Sequence, residues 1–132
     1  MKISNLEIDQ ILGIMNSADS FRNNISIKIP SKLRFAVRVN EKKMNEVNSV
    51  YKNEQINIIQ NHIDQGHGTI NEESKAIFDE EYIPTINEEL LELANTMVDV
   101  DFQKVDSETI NSFLEKVDIS VPEEKIILLF SE

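Results

Sequence analysis

The chain has 132 residues, 40% of them apolar, and 24 acidic against 13 basic residues give it a net charge of −11. That length suits a single domain with a real core, and the apolar content with its regular patterning argues against disorder. The absence of cysteine excludes a disulfide framework, a thiolate zinc site and a cysteine nucleophile. Acids appear too early for a signal peptide, and no run approaches the ~18 apolar residues of a membrane span. A cytoplasmic protein with no cofactor and no membrane contact is expected. The charge is uneven: residues 1–66 hold nine Lys/Arg and seven Asp/Glu, net +2, whereas residues 67–132 hold four and seventeen, net −13. A basic cluster (Lys28, Lys32, Arg34, Arg38, Lys42, Lys43) thus precedes a strongly acidic half. That pattern fits a charged partner, or two halves that meet each other.

Ser4-Asn5-Leu6-Glu7 reads as a capping box. Ile8, Ile11, Leu12 and Met15 then give a helix one apolar face, fading around residues 16–19. Ile25, Ile27 and Ile29 alternate with Ser26 and Lys28, the period of a strand with one buried face, and Pro30 ends it. Ser31 is placed to cap a long helix over residues 31–63, uninterrupted by Pro or Gly. Leu33, Val37, Met44, Val47, Tyr51 and Ile58 fall at heptad spacing, with Asn40 and Glu54 at the remaining seam positions, so a coiled-coil-like stripe runs along it. Its start, with Leu33, Phe35, Ala36, Val37 and Val39, reads as the most deeply buried part. Arg34, Arg38 and Lys42 line up at i, i+4, i+8.

Gly66 and Gly68 break the helix, and residues 69–78 form either a small hairpin or a structured loop. Residues 79–97 read as the returning helix, with Pro84 in the first turn and Asp79, Glu80 and Glu81 near its positive end. Its stripe is Ile83, Ile86, Leu90, Leu93 and Met97, widened by Leu91 and Ala94. A short break between two amphipathic helices predicts an antiparallel pair. Val98, Val100 and Phe102 alternate with Asp99 and Asp101, giving a natural strand partner for residues 25–29. Asp106-Ser107-Glu108 starts a helix carrying Ile110, Phe113, Leu114 and Val117. Ser120-Val121-Pro122-Glu123 is a second capping box, and residues 126–130 are apolar all round, so the fold or a partner must cover them.

Candidate chemistry is sparse. His62 and His67 are the only histidines, and their spacing around Asp64 is no zinc pattern, since a zincin needs two histidines one helical turn apart with a glutamate beside the first. They read as polar loop residues around two glycines. The sequence contains no phosphate-cradling glycine loop and no nucleophile elbow. Of the paired acids, Glu88 and Glu89 point about 100° apart on a helix, whereas Asp99 and Asp101 share one strand face. These patterns favour helix-dipole acids and a wet strand over a metal-dependent hydrolase. The net charge argues against direct nucleic-acid binding, whose affinity comes largely from summed cations. Rows of carboxylates could instead imitate a phosphate backbone. The candidate partner-binding residues are therefore Glu88, Glu89, Glu92, Asp99 and Asp101 on the acidic side, and Arg34, Arg38 and Lys42 on the basic side.

The proline-bounded strand leading into a long charged helix carries a resemblance. So do Ile77-Phe78-Asp79-Glu80-Glu81, Asn87-Glu88-Glu89-Leu90-Leu91-Glu92-Leu93 and Val98-Asp99-Val100-Asp101-Phe102. Over residues 24–130 the sequence resembles small phage- and prophage-encoded proteins of low-GC Gram-positive bacteria. The pattern has no catalytic signature and transfers no residue role. It implies a phage context, acting in the host cytoplasm. The expectation is an α+β, mostly helical single domain. A long antiparallel helical hairpin, over about residues 40–95, stands on a small body formed by residues 1–39 and 96–132, with a two-stranded sheet and short packed helices. The expected function is non-enzymatic: an acidic protein-binding module that inhibits or modulates a host nucleic-acid-acting or defence complex. The alternative is a phage assembly factor, a scaffold-like homo-oligomer with the long helix as its interface.

Overall fold

The computed structural model describes residues 1–18 and 29–132. It is an α+β fold, mostly helical. In chain order the elements are β1 (Lys2–Ser4), α1 (Asn5–Ser17), α2 (Ser31–Asp64), β2 (Gly68–Ile70), β3 (Ala76–Phe78), α3 (Ile83–Asn95), β4 (Met97–Asp99), α4 (Ser107–Lys116) and α5 (Val121–Leu129). The 34 residues of α2 span about 51 Å at 1.5 Å per residue. Both α1 and α3 pack against it. Near its middle, Asn48 Nδ2 donates to Asp9 Oδ1 of α1 at 3.0 Å, and Lys52 Nζ lies 3.6 Å from the same carboxylate.

Helix ends follow local chemistry. The backbone N–H of Glu7 donates to Ser4 Oγ at 3.1 Å, so Ser4 caps the start of α1. At α5 the Ser120 hydroxyl accepts from the Glu123 N–H and donates to the Glu123 carboxylate, with Pro122 in the first turn. α4 is capped by Asp106, whose carboxylate accepts from the backbone N–H and hydroxyl of Thr109. At α2 the expectation fails. Pro30 holds the cap position with no side-chain hydrogen bond, and Ser31 is already inside the helix.

The core joins α1 (Ile8, Leu12, Met15), the first half of α2 (Leu33, Ala36, Val37, Met44), the extended segment carrying Val100, Phe102 and Val105, α4 and α5 (Ile110, Phe113, Ile126, Ile127), and Phe130 just past the end of α5. The apolar C-terminus is thus covered in part by its own fold, with Leu128 left 45% exposed. Ile126, Ile127 and Phe130 are buried, Val105 N–H donates to Phe130 O at 2.7 Å, and Glu132 N–H donates back to Val105 O at 2.9 Å. Asn40, at the polar seam position, is fully buried. Its amide donates to Gln103 O at 3.0 Å and its carbonyl accepts from Gln103 N–H at 2.7 Å, pairing with a backbone unit as a strand would. The start of α2 is not buried all round, because Phe35 is 61% exposed. At 100° per residue it lies about 160° around the helix from Leu33, on the solvent side.

The strand at Met97–Asp99 pairs antiparallel with Lys2–Ser4, in the register Lys2↔Asp99, Ile3↔Val98, Ser4↔Met97. The N-terminal segment therefore takes the place expected for residues 25–29, of which 25–28 lie outside the described residues. Met1 extends the ladder: its carbonyl accepts from Val100 N–H at 2.9 Å and its ammonium donates to Val100 O at 3.0 Å. The alternation of the segment holds, with Val100 and Phe102 buried and Asp99 and Asp101 exposed.

Residues 68–78 form a hairpin, β2 against β3 in the register Gly68↔Phe78, Thr69↔Ile77, Ile70↔Ala76. Its loop is tied by Asn71, whose side-chain oxygen accepts from the N–H groups of Glu73 and Lys75, while Ser74 takes φ 62°. Gly68 permits the close approach, since a Cβ there would meet Ile77 O at 2.3 Å. Packing against α2 supplies the support that a two-stranded hairpin needs. The returning helix is shorter than residues 79–97. Asp79, Glu80 and Glu81 lie in a turn ahead of α3 and do not occupy its first turn. Ile86 and Ala94 are buried, but Leu91 (60% exposed) faces solvent and does not widen the stripe.

Candidate functional site

The acidic candidates divide by environment. Glu88 and Glu92 lie one turn apart on the exposed side of α3. Among the described residues neither forms an ion pair. Glu89, between them, turns inward, and its Oε1 lies 3.2 Å from Nε2 of buried His62. Asp99 accepts from the Met1 ammonium at 3.0 Å while remaining largely exposed. Asp101 is exposed, and its backbone carbonyl accepts a hydrogen bond from the Lys43 ammonium.

The basic row does not zip against this face. Arg34 donates to Ile29 O at 3.2 Å, Lys32 lies 3.6 Å from Asp106, and Lys43 is held by the Asp101 carbonyl. Arg38 and Lys42 border a shallow groove on the outer side of α2, alternating with Glu41 and Glu46. Lys28 lies outside the described residues. Several cations of the first half are thus used within the chain, two of them by the segment 101–106. The Asp106 carboxyl sits below its ordinary value, chiefly through its hydrogen bond from the Thr109 hydroxyl, then through the Thr109 N–H, with a smaller contribution from Lys32.

A second cluster sits where α2 ends. Gly66, at φ 80°, places its N–H on Ile63 O at 3.0 Å, and the His67 N–H reaches His62 O at 3.0 Å. These are the two bonds of a Schellman motif, which brings the residue three places inside the helix end against the residue just past the glycine. That contact is usually apolar. Here it joins two histidines, with Nδ1 to Nδ1 2.7 Å and ring centroids 5.0 Å apart. His67 stacks on Tyr82 at 3.7 Å with an 11° interplanar angle, and its carbonyl accepts from Asp79 N–H at 2.9 Å. The cluster therefore ties the end of α2 to the hairpin and to α3, and its histidines are built parts of the fold where the sequence suggested loop residues. Glu89 approaches the far side of the His62 ring, so the donors do not converge on one point. Among the described residues no group of three His, Asp or Glu side chains is placed to hold a metal ion.

An apolar groove lies between α1 and α5, lined by Ile11, Ile14, Ile126 and Leu129. Among the described residues no helix is long and apolar enough to cross a membrane. Comparison of the chain with protein-family models, curated proteins and solved structures yields no match.

Proposed function

We propose that the chain is a non-enzymatic protein-binding module that engages a cationic surface of its partner. The contact surface is the outer side of α3 (Glu88, Glu92) together with the exposed carboxylates of Asp99 and Asp101. The observation that carries this reading is the state of Glu88 and Glu92, two exposed like charges at i, i+4 with no cation against them among the described residues. Such a pair costs the isolated helix about 0.2–0.5 kcal/mol. A chain that keeps this cost while directing Lys32, Lys43 and Lys52 to other groups reserves the face for an outside cation. Within the phage context implied by the sequence resemblance, the partner is the basic channel or groove of a host nucleic-acid-acting or defence complex, which the module inhibits or modulates.

The test is a pull-down with the tagged full chain at physiological ionic strength, followed by binding at rising salt. A carboxylate-led interface loses affinity steeply with salt, whereas an apolar seam does not. Failure to retain any specific host partner would end the proposal. The assembly-factor reading is supported by a different observation, the exposed Phe35, Val50 and Ile56 on the outer side of α2. It requires a mass by light scattering that rises with concentration, and a concentration-independent monomer excludes it.

A further inference from the structure

We propose that the His62–His67 pair is a one-proton lock on the junction of α2, the β2–β3 hairpin and α3, and that a second proton opens it. The two Nδ1 atoms lie 2.7 Å apart. Two ring nitrogens at that distance need one donor and one acceptor. The other nitrogen of His62 faces the Glu89 carboxylate at 3.2 Å, and a carboxylate only accepts, so Nε2 carries a hydrogen. Two arrangements satisfy both contacts. In one, His62 is neutral and its Nδ1 accepts from His67 Nδ1–H. In the other, His62 is an imidazolium and donates to Glu89 and to the bare Nδ1 of His67. Both place a single proton between the rings.

When both rings are imidazolium, two N–H groups and two positive charges face each other across that gap. Glu89 offsets only the charge on His62. The other groups around the pair do not replace the lost bond. Asp64, on α2, is engaged by the Gln60 amide at 2.8 Å. Asp79, in the turn before α3, meets His67 through its backbone N–H. Tyr82 offers the face of its ring, and Glu80, Glu81 and Glu88 are solvent-exposed. His62 is 7% exposed and held from two sides, so His67 is the ring that moves. Its backbone N–H and carbonyl bind His62 O and Asp79 N–H, and β2 begins at the next residue. Displacement of the ring therefore disturbs the stack on Tyr82, the Asp79 hydrogen bond and the root of the hairpin together.

The test is NMR on the full chain between about pH 8 and pH 5, the span over which histidine changes charge. Imidazole ¹⁵N shifts report the proton at each Nδ1, and the amide exchange protection factor of Asp79 reports the junction. At high pH the account predicts one protonated and one bare Nδ1. Between the two ends it predicts an at least tenfold loss of Asp79 protection, coincident with the second protonation, while core amides such as that of Ile110 keep theirs. In His67→Gln the step should vanish, the hairpin being retained. Independent protonation of the two rings with Asp79 protection unchanged would overturn the proposal. An identical step in His67→Gln would also overturn it, by assigning the step to carboxylates.

Discussion

Replacing Asn40 by Ala tests how the central helix holds the segment that carries the acidic residues. The side chain is fully buried and makes two hydrogen bonds to one backbone unit, at 3.0 and 2.7 Å. Truncation removes both bonds and leaves a donor and an acceptor of the Gln103 backbone without their partner at a partly buried site. At about 1–3 kcal/mol for each orphaned group, reduced by the better helix propensity of Ala, the expected loss is about 2–4 kcal/mol. With ~2.1 cal/mol/K of unfolding entropy per residue, that lowers Tm by about 7–14 °C for a chain of this size. Thermal melting followed by circular dichroism, with urea unfolding alongside, measures it. Asn53→Ala, on the exposed side of the same helix, is the control. A loss for Asn40→Ala below about 0.5 kcal/mol, or no larger than the control, would refute the clamp.

Two further outcomes follow from the same geometry. Gly66→Ala forces a Cβ onto a residue at φ 80° and should cost about 1 kcal/mol by urea unfolding; a neutral result would contradict the Schellman turn. Asp106→Asn keeps a cap oxygen but removes the charge. The folded-state carboxyl is lower than its ordinary 3.8, so its ionisation stabilises the protein above that value and the benefit disappears as pH falls through the folded value. Wild type should therefore exceed the variant in stability at neutral pH and converge with it in strong acid. A gap that widens on acidification would contradict the assignment.

Much of the architecture is written in local patterns. Ser4 and Ser120 announce their helices because a capping box is a four-residue device, and the long helix shows in unbroken heptad spacing. Alternation at Val98, Val100 and Phe102 correctly marks the buried side of an extended segment. What it could not specify is the partner. Lys2–Ser4 is too short for a periodic signal, and its partner Met97–Asp99 lies far away along the chain. Phe35 shows a related gap, since counting apolar residues ignores the direction each takes around a helix. The histidine cluster was legible in principle. His62, Gly66 and His67 have the spacing of a Schellman contact, but comparison with zinc spacings alone passes over it. Glu89 belonged with Glu88 and Glu92 by charge, and only the packing of α3 turns it toward His62. Tyr82 carried no signal beyond being aromatic.

The central functional claim is that Glu88 and Glu92 meet a cationic partner. The most direct measurement is the affinity of the pulled-down partner for wild type and for the Glu88→Lys/Glu92→Lys double variant across a salt series, with folding checked by circular dichroism. Both side chains are exposed and neither bonds to the histidine pair, so loss of binding with the circular dichroism spectrum unchanged reports the contact itself. The account predicts affinity that falls steeply with salt in wild type, and a loss of at least tenfold at low salt in the variant. Equal affinity of the two proteins, or binding indifferent to salt, would contradict it.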